Sequence, residues 1–135
     1  MPYTIVQTNN PLAIAECQWA SANAVPVQQG QIQPTVKFTT FTSCIGIIGA
    51  SANGAQAIGI HLVMVDGNDN AFTVADVPTV TALMAGFGQN VCIVGQVALW
   101  EDNVPAAYTA LAQALGNPPT FDRGDGRYAG GFNNV

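Results

Sequence analysis

The sequence predicts an α+β fold, a layered mixed β-sheet with a β-sandwich-like core and helices packed outside it, built as one domain over residues 1–135. Three observations carry this expectation. Two glycine-punctuated apolar runs, residues 45–49 and 58–65, flank Asn53-Gly54, one of the strongest short hairpin signals. Capped amphipathic stretches separate these runs from a further apolar run at 91–100. A chain of 135 residues with 49% hydrophobic residues is long enough to bury a single core.

The elements follow in order. Residues 11–23 read as a short amphipathic helix, with apolar Leu12, Ala15, Trp19 and Ala22, Asn10 as cap and Pro11 at the first helical position. Residues 24–34 form a Gln/Pro/Gly-rich connector with a short strand at 25–27. Residues 36–48 read as one long strand, or as two with a bulge near Cys44. The turn at 50–56 returns the chain as a partner strand over 57–66.

A second turn at 67–70 leads to a short run at 72–74. Residues 77–87 are helical, capped by Asp76, with Pro78 in the first turn and Gly86 and Gly88 as stops. Residues 91–100 are the most apolar strand. Residues 103–115 are a further helix, capped by Asn103 and stopped by Gly116. Turn chemistry at 122–127 precedes a last strand at 128–135; the Asp and Arg side chains of that turn are expected to pair with each other in a solvated loop, the alternative being a phosphate or carboxylate site on its Gly-rich N–H groups and Arg.

Composition narrows function. Only 8% of residues are charged, against roughly a quarter in ordinary soluble proteins. A surface with so little charge loses one guard against edge-to-edge pairing, so a homo-oligomer is expected as a possibility. A net charge of −5, with Lys37, Arg123 and Arg127 as the only cations, excludes a nucleic-acid binder, which needs a basic stripe. No apolar run approaches the ~18 residues of a membrane span.

Residues 1–4 carry neither the basic nor the apolar region of a secretory signal. The expectation is a cytoplasmic protein, or one delivered by a route that needs no signal peptide. Cys17, Cys44 and Cys92 are odd in number and widely spaced, which fits reduced thiols rather than a disulfide framework. One histidine and no Cys-x-x-Cys pair leave too few ligands for zinc, and Asp66 to Asp69 reads as a turn rather than a calcium loop. No metal and no cofactor is expected.

The residues that bear chemistry are Cys44 and His61, seventeen positions apart. A cysteine nucleophile needs a thiolate to attack and an imidazole to take and return the proton. A hairpin turning at Asn53-Gly54 sets facing residue numbers to sum to about 107, which brings Cys44 within cross-strand or diagonal reach of His61. Thr40 and Thr42 share the parity of Cys44 in a regular strand, so one hydroxyl could orient the imidazole. Gly46, Gly49, Gly54 and Gly59 leave space beside the pair for a ligand to approach. The competing reading is a buried structural cysteine and a hydrogen-bonded core histidine.

The segment Thr39-Thr40-Phe41-Thr42-Ser43-Cys44-Ile45-Gly46, with His61 at its interval, resembles the chemotaxis glutamine deamidase family CheD, which carries Thr…Gly-Ser-Cys and Gly-x-x-His motifs. The likeness continues through Val94 to Leu99, Glu101-Asp102-Asn103-Val104 with its helix, and the turn from Asp122 to Arg127. Thr42 stands where that family has glycine, and Phe38 where its threonine usually lies. The catalytic domain of the cytotoxic necrotizing factor toxins is similar in the same respects.

The resemblance implies hydrolysis of a glutamine side chain on a partner protein. Cys44 attacks the carboxamide, His61 protonates the departing ammonia, and water activated by His61 releases the thioester. Thr40 or Thr39 serves as third catalytic member, and Ser43, Thr42 and Gly46 contact the substrate. The alternatives are a catalytically silent, oligomeric interaction or structural domain on the same fold, and a small-amide hydrolase using the same thiol.

Overall fold

The hairpin at the centre of the molecule forms in the expected register. Strand β4 (Ile45–Ala50) pairs antiparallel with β5 (Gln56–Leu62), with Ile45 opposite Leu62, Gly46 opposite His61 and Ala50 opposite Ala57. Facing residue numbers therefore sum to 107. The loop closes through Ser51 N–H to the Gln56 carbonyl, and Gly54 takes the left-handed φ of +71° that favours glycine. The computed structural model describes residues 3–23 and 32–133. The expected short strand at 25–27, most of its connector, and residues 134–135 of the expected last strand lie outside them.

Four more strands extend the hairpin into a six-stranded mixed sheet. They are β1 (Val6–Gln7), β2 (Gln18–Asn23), β6 (Gln89–Gly95) and β7 (Thr120–Asp122), and the order is β1-β2-β5-β4-β6-β7. A separate pair, β3 (Ile32–Lys37) with β8 (Ala129–Asn133), covers one face. A Cβ at Gly59 would meet Ile14, Val36 and Phe38 on that side, and one at Gly130 would meet Ile48. The helices α1 (Val77–Met84), α2 (Val97–Asn103) and α3 (Pro105–Ala114) complete the fold, and a Cβ at Gly49 would meet Met84 and the Phe87 carbonyl. The result is the predicted α+β layering, with both strands of the hairpin almost wholly buried between the layers.

Several elements differ from expectation. The helix expected over 11–23 does not form: residues 11–17 are turns with a β-bridge at Ile14, and 18–23 are strand β2, because pairing along β5, Gln18 opposite His61 through Asn23 opposite Gln56, outweighs local helical spacing. Residues 36–48 do form two strands, but in different sheets, separated by the crossing segment 38–44. The apolar run 91–100 is part strand and part helix. Gly95 (φ +126°) ends β6, and Trp100 lies in α2, fully buried.

Two of the three predicted helices remain, 77–87 as α1 and 103–115 as α3, although Asn103 closes α2 through an Nδ2 bond to the Leu99 carbonyl rather than capping α3. Gly116, with φ +81°, stops α3 as expected. Among the described residues no helix is long and apolar enough to cross a membrane.

Candidate functional site

His61 owes its position to β5 and its surroundings to two glycines. Directly opposite it in β4 stands Gly46, where a Cβ would come 2.6 Å from Phe38 and 2.9 Å from Phe41. The missing side chain lets both rings pack against the imidazole, Phe38 edge-on with its centroid 5.6 Å away and Phe41 tilted at 4.6 Å. The space that Gly46 and Gly59 were expected to leave for a ligand is therefore filled by Phe38, Phe41, Val36 and Ile14. On this face Gly46 meets Phe38 and Phe41, where a substrate contact was expected. His61 is 0% exposed.

The imidazole is oriented by backbone, not by a threonine. Nδ1 lies 2.8 Å from the Ile14 carbonyl oxygen; a carbonyl only accepts, so Nδ1 carries the proton. Nε2 is then the basic nitrogen, buried and without a partner among the described residues. Burial holds the imidazole below its ordinary pKa, with the Ile14 bond opposing in part. The imidazole is neutral at physiological pH.

Cys44 precedes β4 at the end of the crossing segment and is also 0% exposed. Its thiol donates to the Thr42 carbonyl at 3.2 Å, and no hydrogen bond links it to His61. Burial pushes the thiol up to about 11, and the negative charges of Glu16 and Asp125 add to the rise. An activated cysteine shows the opposite, a thiol pulled down by a neighbouring positive charge or helix N-terminus. At neutral pH the two groups are a thiol and a neutral imidazole.

The flanking residues are held by partners that the sequence did not indicate. Ser43 adopts a left-handed φ of +63°. Its carbonyl accepts the Trp100 indole N–H at 3.1 Å and its N–H donates to Asp125 Oδ1 at 3.3 Å. Gln96 Nε2 donates to the same carboxylate oxygen at 2.6 Å, and the Gln96 N–H donates to the Cys44 carbonyl at 2.9 Å. Gly126 and Phe41 exchange backbone hydrogen bonds. The turn at 122–127 is thus docked on the Cys44 segment through Asp125 and Gly126. It is not a loop held by Asp–Arg pairing: Asp122 accepts the Ala98 N–H, and Arg127 Nε donates to Thr40 Oγ1 at 3.2 Å.

That last bond also places Thr40. It is exposed and engaged with Arg127, so it does not orient His61, and the carbonyl of Ile14 takes that position. Thr42 is exposed and contributes its carbonyl to the Cys44 thiol. Phe38 and Phe41, which decide the accessibility of the histidine, were legible only as apolar residues near small ones. Among the described residues no group of three or more His, Cys, Asp or Glu side chains is placed to hold a metal ion. Compared with known proteins, the chain matches no family model and no curated protein.

Proposed function

We propose that this chain is a catalytically silent structural or interaction domain whose work is done by its surface. The observation that carries this reading is the state of its one candidate pair. Cys44 and His61 are both fully buried and share no hydrogen bond; Phe41 packs on His61, and the turn at 122–127 docks on the segment that carries Cys44. A thiol raised to about 11 leaves roughly one molecule in ten thousand as thiolate at pH 7. The surface supports the same reading: it is poor in charge, and the edge strands β1 and β7 expose Val6 and Phe121, apolar side chains suited to contact with a second copy or a partner.

A second reading is favoured by one specific feature, the unpartnered Nε2 of His61, oriented as a general base by the Ile14 carbonyl. With Cys44 two residues before Gly46, the cross-strand partner of His61, this suits the deamidase chemistry that the resemblance to CheD and the necrotizing factor toxins implies. It requires Phe41 to leave the imidazole. Ammonia release from glutamine-bearing proteins, measured with the native chain and with Cys44→Ser, separates the two. The silent domain gives equal background from both. Release by the native chain alone transfers the conclusion to the deamidase.

A further inference from the structure

The chain has three cations among eight acids, and two of the three line one cavity. Lys37 ends β3 and pairs across the small sheet with Ala129, and Arg127 lies two residues before Ala129. The two side chains therefore flank a concavity of about 380 Å³ over the Lys37-to-Thr40 corner, and no Asp or Glu lines it. In a chain with a net charge of −5, that concentration is the reverse of the overall charge balance.

The donors there are largely unspent. Arg127 uses its Nε on Thr40 Oγ1 at 3.2 Å, which fixes the guanidinium and leaves its outer edge free. Lys37 makes no hydrogen bond or ion pair through its ammonium among the described residues, and neither does the Thr39 hydroxyl. Two like charges on one cavity repel unless an anion lies between them, and a fixed guanidinium edge matches a carboxylate in bidentate fashion. The remaining wall is apolar, formed in part by Phe38 and by the exposed Leu12. The volume is at the small end of the usual range for ligand sites.

We propose that this cavity binds a small carboxylate with a short apolar body, the carboxylate on Arg127 and Lys37 and the body against Leu12 and Phe38. The apolar wall sets it apart from a bare phosphate site. The same chemistry is offered by a free organic acid and by the C-terminal residue of a peptide.

The test is a ¹H–¹⁵N titration of the full chain with hexanoate, hexanamide, inorganic phosphate and an acetylated tripeptide ending in leucine carboxylate. Saturable shifts at Thr39, Thr40 and Tyr128 with hexanoate or the peptide, and none with hexanamide, are expected. The tighter of the two binders assigns the source. Lys37→Met and Arg127→Gln should each weaken binding by at least about tenfold, the usual scale for losing a charge-assisted bond. Their unligated spectra, otherwise unchanged, show that they fold. Arg127→Lys should fall between. Absence of saturation, equal binding of phosphate, or indifference to both substitutions overturns the proposal.

Discussion

His61 and Ile14 are joined across the core, the imidazole Nδ1 lying 2.8 Å from the Ile14 carbonyl oxygen. That oxygen also accepts the Thr39 N–H at 2.9 Å, so its acceptor capacity survives loss of the histidine. Removing His61 therefore strands no backbone group, while it eliminates a buried nitrogen without a partner. His61→Leu, similar in volume, should alter stability at pH 7.5 by less than about 1.5 kcal/mol. His61→Ala, which opens a cavity beneath Phe41, should cost about 3 kcal/mol. Urea denaturation of both variants checks the contrast, and equal losses would refute it.

The same burial makes the fold acid-sensitive. The folded-state pKa of His61 lies below its unfolded value near 6.5, so the unfolded chain takes up the proton first. The stability from keeping this imidazole neutral is fully present above pH 6.5 and is lost as pH falls from there toward the folded pKa. Melting temperatures at pH 7.5 and pH 5 should diverge for the native chain and converge for His61→Leu. A native chain that loses no more than the variant would contradict this origin.

Gly46 is the residue that admits the two phenylalanines. Gly46→Ala places a methyl 2.6 Å from Phe38 and 2.9 Å from Phe41, rings already packed on His61. The expected cost is about 1–3 kcal/mol. Phe38→Leu in the same chain should recover part of it, because the shorter side chain gives way at the closest contact. Purely additive losses in the double variant would argue against the contact.

Tyr3 ties the N-terminal segment to the end of β5. Its hydroxyl donates to the Val63 carbonyl at 2.8 Å and accepts the Val63 N–H at 3.0 Å. Tyr3→Phe removes both of these bonds and should cost about 2 kcal/mol. Amide exchange at Val63 should accelerate in step. Unaltered exchange would show that the hydroxyl is dispensable.

The sequence made the hairpin legible because its register is local. An Asn-Gly turn and a two-residue side-chain period suffice to set Gly46 against His61. Helices α1 and α3 were legible from their prolines and terminal glycines. Strand β2 was not, since apolar residues at 12, 15, 19 and 22 satisfy a helix and only pairing with β5 overrides them. Edge strand β7, three residues long, carries no local signal at all.

At the site, the cysteine, the histidine and the register of β4 against β5 were readable. Their environment was not. A carbonyl donated by Ile14, a ring donated by Phe41 and a carboxylate donated by Asp125 all come from segments whose approach depends on the completed fold. Glycines near a candidate pair suggested room for a ligand. Here they mark room taken by aromatic side chains.

The central claim is that Cys44 is a buried structural thiol rather than a nucleophile. The direct measurement is its iodoacetamide alkylation rate as a function of pH, in a chain carrying Cys17→Ala and Cys92→Ala, with and without His61→Leu. The thiol should titrate near 11, be almost unreactive at pH 7, and be indifferent to His61. A half-point near neutrality that rises when His61 is replaced would show a coupled thiolate–imidazole pair and contradict the account.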